Sequence, residues 1–199
     1  MARYNAIAAV SETIINQLRA SPQPDGLDDL EYRIFTARDF VNSPISNGVS
    51  LFVYRIFPNG TNRTPNGYAQ VPGRKQRRLL PIDVHFFLTI WGGEASLQHT
   101  LAGWVMRVME DNALLSASAI NAVAAEAFRR DETVELGLAE FRTEDLMRIF
   151  EVLLPNGYQL SIPYYARVIE LESELDGERL GGPVQERQWD YVFNGEPGE

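Results

Sequence analysis

The chain has 199 residues, 45% of them hydrophobic, and carries a formal net charge of −9 with no cysteine. This length and apolar fraction suit one globular domain with an appendage, and the lack of cysteine excludes disulfides and thiolate metal sites. A pI near 4.8 argues against general nucleic-acid binding.

The first predicted element is a helix over Tyr4–Leu18, because apolar residues recur there at three- and four-residue spacing. The prolines in Ser21–Pro24 end it, and a short strand over Tyr32–Phe35 follows. No basic-then-apolar leader opens the chain, and no apolar run approaches the roughly 20 residues needed to span a bilayer. We therefore expect a soluble protein, cytoplasmic when made, without direct membrane insertion.

A long hairpin, with arms over Val49–Phe57 and Leu79–Trp91, forms the centre of the predicted core. The first arm is apolar on both faces, which predicts an interior strand covered on both sides. The second arm alternates strictly, which predicts one fully buried face. That buried face is formed by Ile82, Val84, Phe86, Leu88 and Ile90, and the other by Asp83, His85, Phe87, Thr89 and Trp91.

A loop of about twenty residues, Pro58–Arg78, joins the arms and ends in a basic cluster. The cluster contains Arg74, Lys75, Arg77 and Arg78. Two interpretations stay open: a solvated loop end, or an electrostatic contact with an acidic surface such as another copy's tail.

Beyond the hairpin, helices alternate with strands. Thr143 is predicted to be an N-cap, followed by acidic residues at the positive helix end. Pro163 interrupts the last strand, which predicts an edge or a bulge there. The elements are a helix over Glu94–Asn112, a partly helical segment over Leu114–Phe128, a strand over Val134–Leu138, a helix from Thr143 to Pro155 and a strand over Tyr158–Leu171.

These elements predict an α+β fold, in which helices pack on a mixed, largely antiparallel sheet of about four to five strands. We expect an α+β domain over residues 1–172 and an acidic extension over residues 173–199. From Glu170 onward nine acids and two arginines give a net charge of −7, which leaves −2 for the rest of the chain. An aromatic island, Trp189, Tyr191 and Phe193, interrupts the extension. It either folds back on its own domain or adds to a neighbour's sheet edge.

A search for catalytic motifs finds no nucleophile elbow, phosphate loop, zinc-helix motif or dinucleotide fingerprint. Asp83 and His85 share a strand face and could hold part of a metal site or an acid–base pair, but no third ligand is apparent. A polar, partly exposed sheet face is the favoured interpretation. His99 is read as a surface or boundary residue of a helix. We expect no enzyme activity, no catalytic residue and no cofactor.

Four stretches together resemble the tail-terminator, or cap, proteins of phage-tail-like contractile injection systems. The resemblance covers residues 1–172 and excludes the acidic extension. It is carried by residues 4–10 (YNAIAAV), residues 48–59 (GVSLFVYRIFPN), residues 80–92 (LPIDVHFFLTIWG) and residues 158–170 (YQLSIPYYARVIE).

The resemblance implies a homohexameric ring that ends the inner tube and the sheath and anchors the sheath's distal end. Its partners would be further copies of itself, the inner-tube protein and the sheath protein, in a virion-like particle that is released or associated with a membrane. Two alternatives remain: a baseplate or tube adaptor of the same machinery, and a small metal-dependent enzyme using Asp83 and His85. Arg74–Arg78 and the aromatic island are the candidate partner-binding residues.

Overall fold

The computed structural model describes residues 2–27, 29–42, 44–61, 79–154 and 157–173. Within these ranges, five helices and six strands form an α+β fold, which is the class predicted from the sequence. The elements in chain order are α1 (Ala6–Ala20), β1 (Glu31–Ile34), α2 (Asp39–Asn42), β2 (Gly48–Pro58), β3 (Leu79–Trp91), α3 (Ala95–Asp111), β4 (Leu114–Ser116), α4 (Ala117–Val123), β5 (Thr133–Leu138), α5 (Thr143–Leu153) and β6 (Ser161–Glu172).

All six strands lie in one sheet, in the order β1-β2-β3-β6-β5-β4. The predicted hairpin is present: β2 and β3 pair antiparallel from Gly48↔Trp91 to Pro58↔Ile82. β1 is parallel to β2, and the remaining pairs are antiparallel. The sheet has more strands than predicted because three residues, Leu114–Ser116, pair with β5 before α4 begins. The sequence pattern of this alanine-rich segment is helical, so it does not reveal a strand of only three residues.

One face of the sheet, called here the inner face, packs against α1, α3 and α4 and holds the main core. The predicted alternation of β3 is confirmed on this face, where Ile82, Val84, Phe86, Leu88 and Ile90 are each at most 3% exposed. Trp104 of α3 packs near Tyr32 and donates its indole N–H to the Pro22 carbonyl at 2.9 Å. This bond joins α3 to the turn after α1.

The opposite face, called here the outer face, is covered at one end by α2 and α5. Phe40 of α2 lies between the rings of Trp91 at 6.0 Å and Phe150 of α5 at 6.1 Å. Beneath them, Trp91 donates its indole N–H to the Ser50 hydroxyl at 2.8 Å. This second layer buries Phe87 and Trp91, which the strand pattern placed on the less buried face.

The prediction that β2 is covered on both sides along its whole length is wrong for its second half. Gly48–Leu51 is buried and pairs with β1, but Arg55, Ile56 and Pro58 are exposed. β1 is four residues long, so it protects only the beginning of β2. The second half of β2 therefore has a free edge within the described part of the chain.

Of two smaller predictions, one is wrong and one is confirmed. Thr143 is the first residue of α5, and the cap position is Arg142, which makes no side-chain capping bond. Pro163 marks a local edge, as predicted: it pairs regularly with Phe87 of β3, but on its other side β5 pairs only with residues 164–167 and ends at Leu138. Its carbonyl accepts from the Ala139 N–H at 3.0 Å, just past the end of β5, so the missing proline N–H costs no ladder bond.

Candidate assembly surface

The far end of the outer face, away from α2 and α5, is where the sheet presents mixed aromatic and charged side chains. No helix in the described ranges covers it. Successive residues of a strand point to opposite faces, so the outward residues of β2, β3 and β6 form rows across the sheet. A bulge between Val53 and Arg55 puts the adjacent residues Tyr54 and Arg55 on the same face. We call this surface the outer patch, and it consists of Tyr54, Arg55, Phe57, His85, Tyr165 and Arg167.

The central row of the outer patch runs Arg55↔His85↔Tyr165↔Gly137 across four strands. The His85 ring lies 5.5 Å from the Phe57 ring and 6.3 Å from the Tyr165 ring. Gly137 leaves room for Tyr165: a Cβ added there would lie 2.6 Å from Tyr165 Cζ. The side chains of the row therefore pack laterally against those of neighbouring strands. The side of the row that faces away from the sheet is not covered by a described helix.

Two arginines complete the outer patch by lying over aromatic rings. The Arg55 guanidinium is 3.2 Å from the Phe57 ring centroid, and that of Arg167 is 4.2 Å from the Tyr165 ring centroid. Both arginines are exposed, whereas their rings are half-buried. Cation–π pairs at exposed sites contribute about 0.5–1 kcal/mol each, enough to favour one arginine orientation. The patch thus presents two positioned cations to solvent.

Two titratable groups of the outer patch, His85 and Tyr54, have pKa values that favour their uncharged forms near neutral pH. Burial lowers the pKa of His85, helped by the positive charges of Arg55 and Arg167 and opposed by Asp83. Burial also raises the pKa of Tyr54 to about 12. The Tyr54 hydroxyl contacts His85 Nδ1 at 3.4 Å, which is at the long end for a hydrogen bond. These shifts keep His85 and Tyr54 uncharged near neutral pH, which argues against their acting as an acid–base pair.

Asp83, which the sequence places beside His85, has a structural role. Its carboxylate accepts from Asn59 Nδ2 at 3.0 and 2.9 Å and from the Val168 N–H at 3.1 Å. Val168 has a φ of +59° at a β-bulge in β6, where two residues oppose one on β3. In the described ranges, no group of three or more His, Asp or Glu side chains is placed to hold a metal ion.

The free edge of β2 borders the outer patch. From Phe52 to Pro58 no described strand pairs with β2 on the side away from β3. Ile56 is 49% exposed here, on the inner face. An unpaired strand edge offers backbone N–H and C=O groups to an incoming strand. On the other side of the patch, beside Arg167, lies an open groove of about 360 Å³ whose lining includes Leu114 and Glu135.

The partner-binding residues predicted from the sequence lie outside the described residues. Arg74, Lys75, Arg77 and Arg78 are in the loop between β2 and β3, and Trp189, Tyr191 and Phe193 are in the acidic extension. His99 is exposed on α3, as expected. The sequence analysis did not single out Arg55, Tyr165 or Arg167. In the sequence, Tyr165 and Arg167 alternate at the spacing of one strand face, as Arg55 and Phe57 do. That the two pairs lie on opposite sides of β3 is visible only in the folded chain.

The chain was compared with protein-family models and with known protein sequences. A family model described as the Pvc16 N-terminal domain matches residues 9–186. A search of curated protein sequences gave no significant match. Within the described residues, no helix combines the length and apolar character required to cross a membrane.

Two solved structures share the fold. One is the PVC sheath/tube terminator of an extracellular contractile injection system, in its extended state, with 15% identity and a TM-score of 0.59. The other is the tube-terminating cap of the anti-feeding prophage, with 16% identity and a TM-score of 0.58. The matches cover 96% and 92% of this chain but 65% and 60% of those chains. The chain thus spans less than two thirds of either, and at these identities the likeness concerns the fold.

Proposed function

Because the chain belongs to the Pvc16 N-terminal domain family, we propose that it is the structural cap of a contractile injection system. The observation that carries the proposal is the family match over residues 9–186. The two fold neighbours, described as a sheath/tube terminator and a tube-terminating cap, support it. In this function the chain works by shape and carries out no catalysis.

The proposed assembly is a homohexameric ring seated on the last ring of the inner tube. It ends growth of the tube and the sheath and anchors the sheath's distal end. A tube of stacked rings is a heterologous assembly, which grows until one face offers no complementary site. The cap needs one face that matches the tube and another that offers no further docking site. The protein would be made in the cytoplasm and become part of the particle.

The free edge of β2 is the proposed contact for the sheath. Among the described residues, no strand pairs with residues 52–58 on the side away from β3, and the exposed Ile56 lies in this stretch. A strand from a sheath subunit that paired there would extend the sheet by one strand and resist pulling along its length. The domain over residues 1–172 would provide this contact, and the extension from residue 173 lies beyond it.

Assembly with purified components tests the proposed cap. Light scattering should give the mass of a hexamer, and negative-stain images with tube and sheath proteins should show the protein at one end of each particle, with tube length limited by its addition. Protein that stays monomeric at high concentration and ignores tube and sheath ends would overturn the proposal. Location at the baseplate end would select the adaptor alternative.

Arg74 and Arg78 are proposed to contact a neighbouring subunit or the tube. Reversing the charges of both residues in R74E/R78E should weaken ring or particle assembly. The melting temperature of the monomer should stay unchanged, because the cluster belongs to the loop that joins two core strands and not to the strands themselves. The control R107E/R148E makes the same charge change at exposed helix positions. Intact capped particles from R74E/R78E would refute this contact.

A further inference from the structure

We infer that the free edge of β2 accepts a short sheath strand of one defined pattern. The strand carries an acidic residue opposite Arg55 on the outer face and an apolar residue beside Ile56 on the inner face. This inference rests on the proposed function, in which the sheath contacts this edge, and it specifies the sequence that the edge recognises.

Hydrogen bonds fix which residues of β2 direct their backbone groups to the free edge. Before the bulge, the Phe35 N–H donates to the Leu51 carbonyl at 2.8 Å, so the backbone groups of Leu51 face away from β3. Because this direction alternates along a strand, those of Val53 also face away from β3. Val53 is the last such residue before the ladder with β3 shifts between Val53 and Arg55.

Beyond the bulge, a second hydrogen bond fixes the direction of the backbone again. The Asn59 N–H donates to the Pro81 carbonyl of β3 at 2.8 Å, and bonded pairs alternate with non-bonded pairs in an antiparallel ladder. Ile56 and Pro58 therefore direct their backbone groups away from β3. Proline has no N–H, so Pro58 offers an acceptor but no donor. The edge thus suits a short strand centred on Ile56.

The inner face of the edge presents apolar side chains. Ile56 is 49% exposed, and Pro58, two residues further on the same face, is also exposed. Directly paired residues of neighbouring strands lie on the same face, so the residue beside Ile56 in an added strand would lie against apolar surface. An apolar residue gains free energy by burial there, whereas a charged residue would lose its hydration.

The outer face of the same edge presents a positioned cation. The Arg55 guanidinium lies 3.2 Å from the Phe57 ring centroid, and it forms no ion pair among the described residues. A carboxylate opposite Arg55 would form a charge-assisted hydrogen bond, whereas a basic residue there would be repelled. Because Arg55 and Ile56 point to opposite faces, two adjacent residues of one added strand meet both requirements.

Pairing of this edge with the same edge of another copy is disfavoured. In the antiparallel register centred on Ile56, the Arg55 residues of the two copies would be diagonal neighbours on one face, about 7–8 Å apart. Their like charges oppose that pairing, and Pro58 removes one donor at each end. Charges, prolines and bulges are the features by which edge strands avoid self-association. A strand from a different protein, with an acid in the central position, is therefore the favoured partner.

Peptide binding to the full-length protein tests this recognition. The probes are short overlapping fluorescent peptides that span the sheath protein of the same particle, ranked by anisotropy. The native protein should select peptides in which an Asp or Glu adjoins an apolar residue, and their binding should slow hydrogen exchange of the Val53 and Ile56 amides. R55E should bind them about tenfold more weakly and prefer versions with Lys in place of the acid. R107E, the same charge change at an exposed position of α3, should bind as the native protein does.

I56P tests pairing through the backbone. Because the Ile56 N–H faces away from β3, this substitution keeps the ladder with β3 and removes the donor offered to an added strand. It should weaken peptide binding at least about tenfold. I56T keeps the N–H and loses only apolar surface, so it should weaken binding less. The melting temperature shows whether I56P is folded, and the reversed preference of R55E decides the question if it is not.

Tube capping separates this inference from the proposed function. R55E and I56P should still limit the length of bare tubes, because the edge contacts the sheath. Native protein that fails to cap tubes would overturn the proposed function. Native protein that caps tubes but selects sheath peptides without the acid–apolar pattern would overturn this inference alone. So would an unchanged peptide preference in R55E, a native ring that I56P dissociates, or a peptide of residues 186–193 that binds more tightly than any sheath peptide.

Discussion

The Tyr165 ring lies directly over Gly137, its cross-strand partner on β5. The space above the glycine is filled by the ring, and the ring in turn supports Arg167 at 4.2 Å. The position of one cation of the outer patch thus depends on the absence of a side chain on the neighbouring strand. A pairwise packing relation of this kind produces measurable coupling between the two positions.

G137A should lower the free energy of unfolding by about 1–3 kcal/mol, because the new Cβ must displace the Tyr165 ring. In the Y165A background, the same substitution should cost much less, since the ring is gone. Urea unfolding of the two single variants and the double variant measures this coupling. Equal costs of G137A in both backgrounds would show that Tyr165 is not the obstacle.

G48A should destabilise the pairing of β1 with β2. Gly48 has a φ of +147°, and a Cβ there would lie 2.8 Å from the backbone carbon of Glu31, which cannot rotate away as a side chain can. We expect a loss of about 1–3 kcal/mol in unfolding free energy. G93A is the matched control, because nothing lies within 4 Å of its added Cβ. A similar small effect in both variants would contradict the prediction.

D83A should cost about 1–3 kcal/mol, because it leaves the Val168 N–H at the bulge without its acceptor. D83N keeps one oxygen and should lose less. Thermal unfolding ranks the variants, and hydrogen exchange of the Val168 amide should accelerate most in D83A. If D83A instead removed a bound metal ion from protein purified without chelator, the metal-site alternative would be revived.

Stability should fall as the pH drops below about 6.5, and His85 should account for part of that fall. Because the pKa of His85 is lowered by burial and by its two arginine neighbours, the unfolded chain takes up the proton first. Stability is then full above the unfolded value of 6.5 and is lost as the pH falls through the lower folded pKa.

H85Q tests the contribution of His85 to this pH dependence. The variant should flatten the decline in urea midpoint between pH 6.5 and pH 5. H99Q, at an exposed position of α3, should decline as the native protein does. An unchanged pH profile in H85Q would show that His85 is not responsible.

Much of the architecture follows from local patterns in the sequence. The strict alternation of residues 82–90 predicts a strand with a buried face, and apolar repeats predict α1 and α3. These signals are strong because each residue's burial depends on a regular period along the chain. They predicted the α+β fold and the antiparallel hairpin. The family was indicated separately, by the resemblance of four stretches to known cap proteins, and its model matches residues 9–186.

The outer patch could be found only in the folded chain. Arg55, His85, Tyr165 and Gly137 come from four separate strands, and only the order β2-β3-β6-β5 brings them into one row. The same strand order decides that, within the described residues, the second half of β2 has no partner strand on the side away from β3. Such features depend on which strands become neighbours, and the periodicity of a single strand does not contain that information.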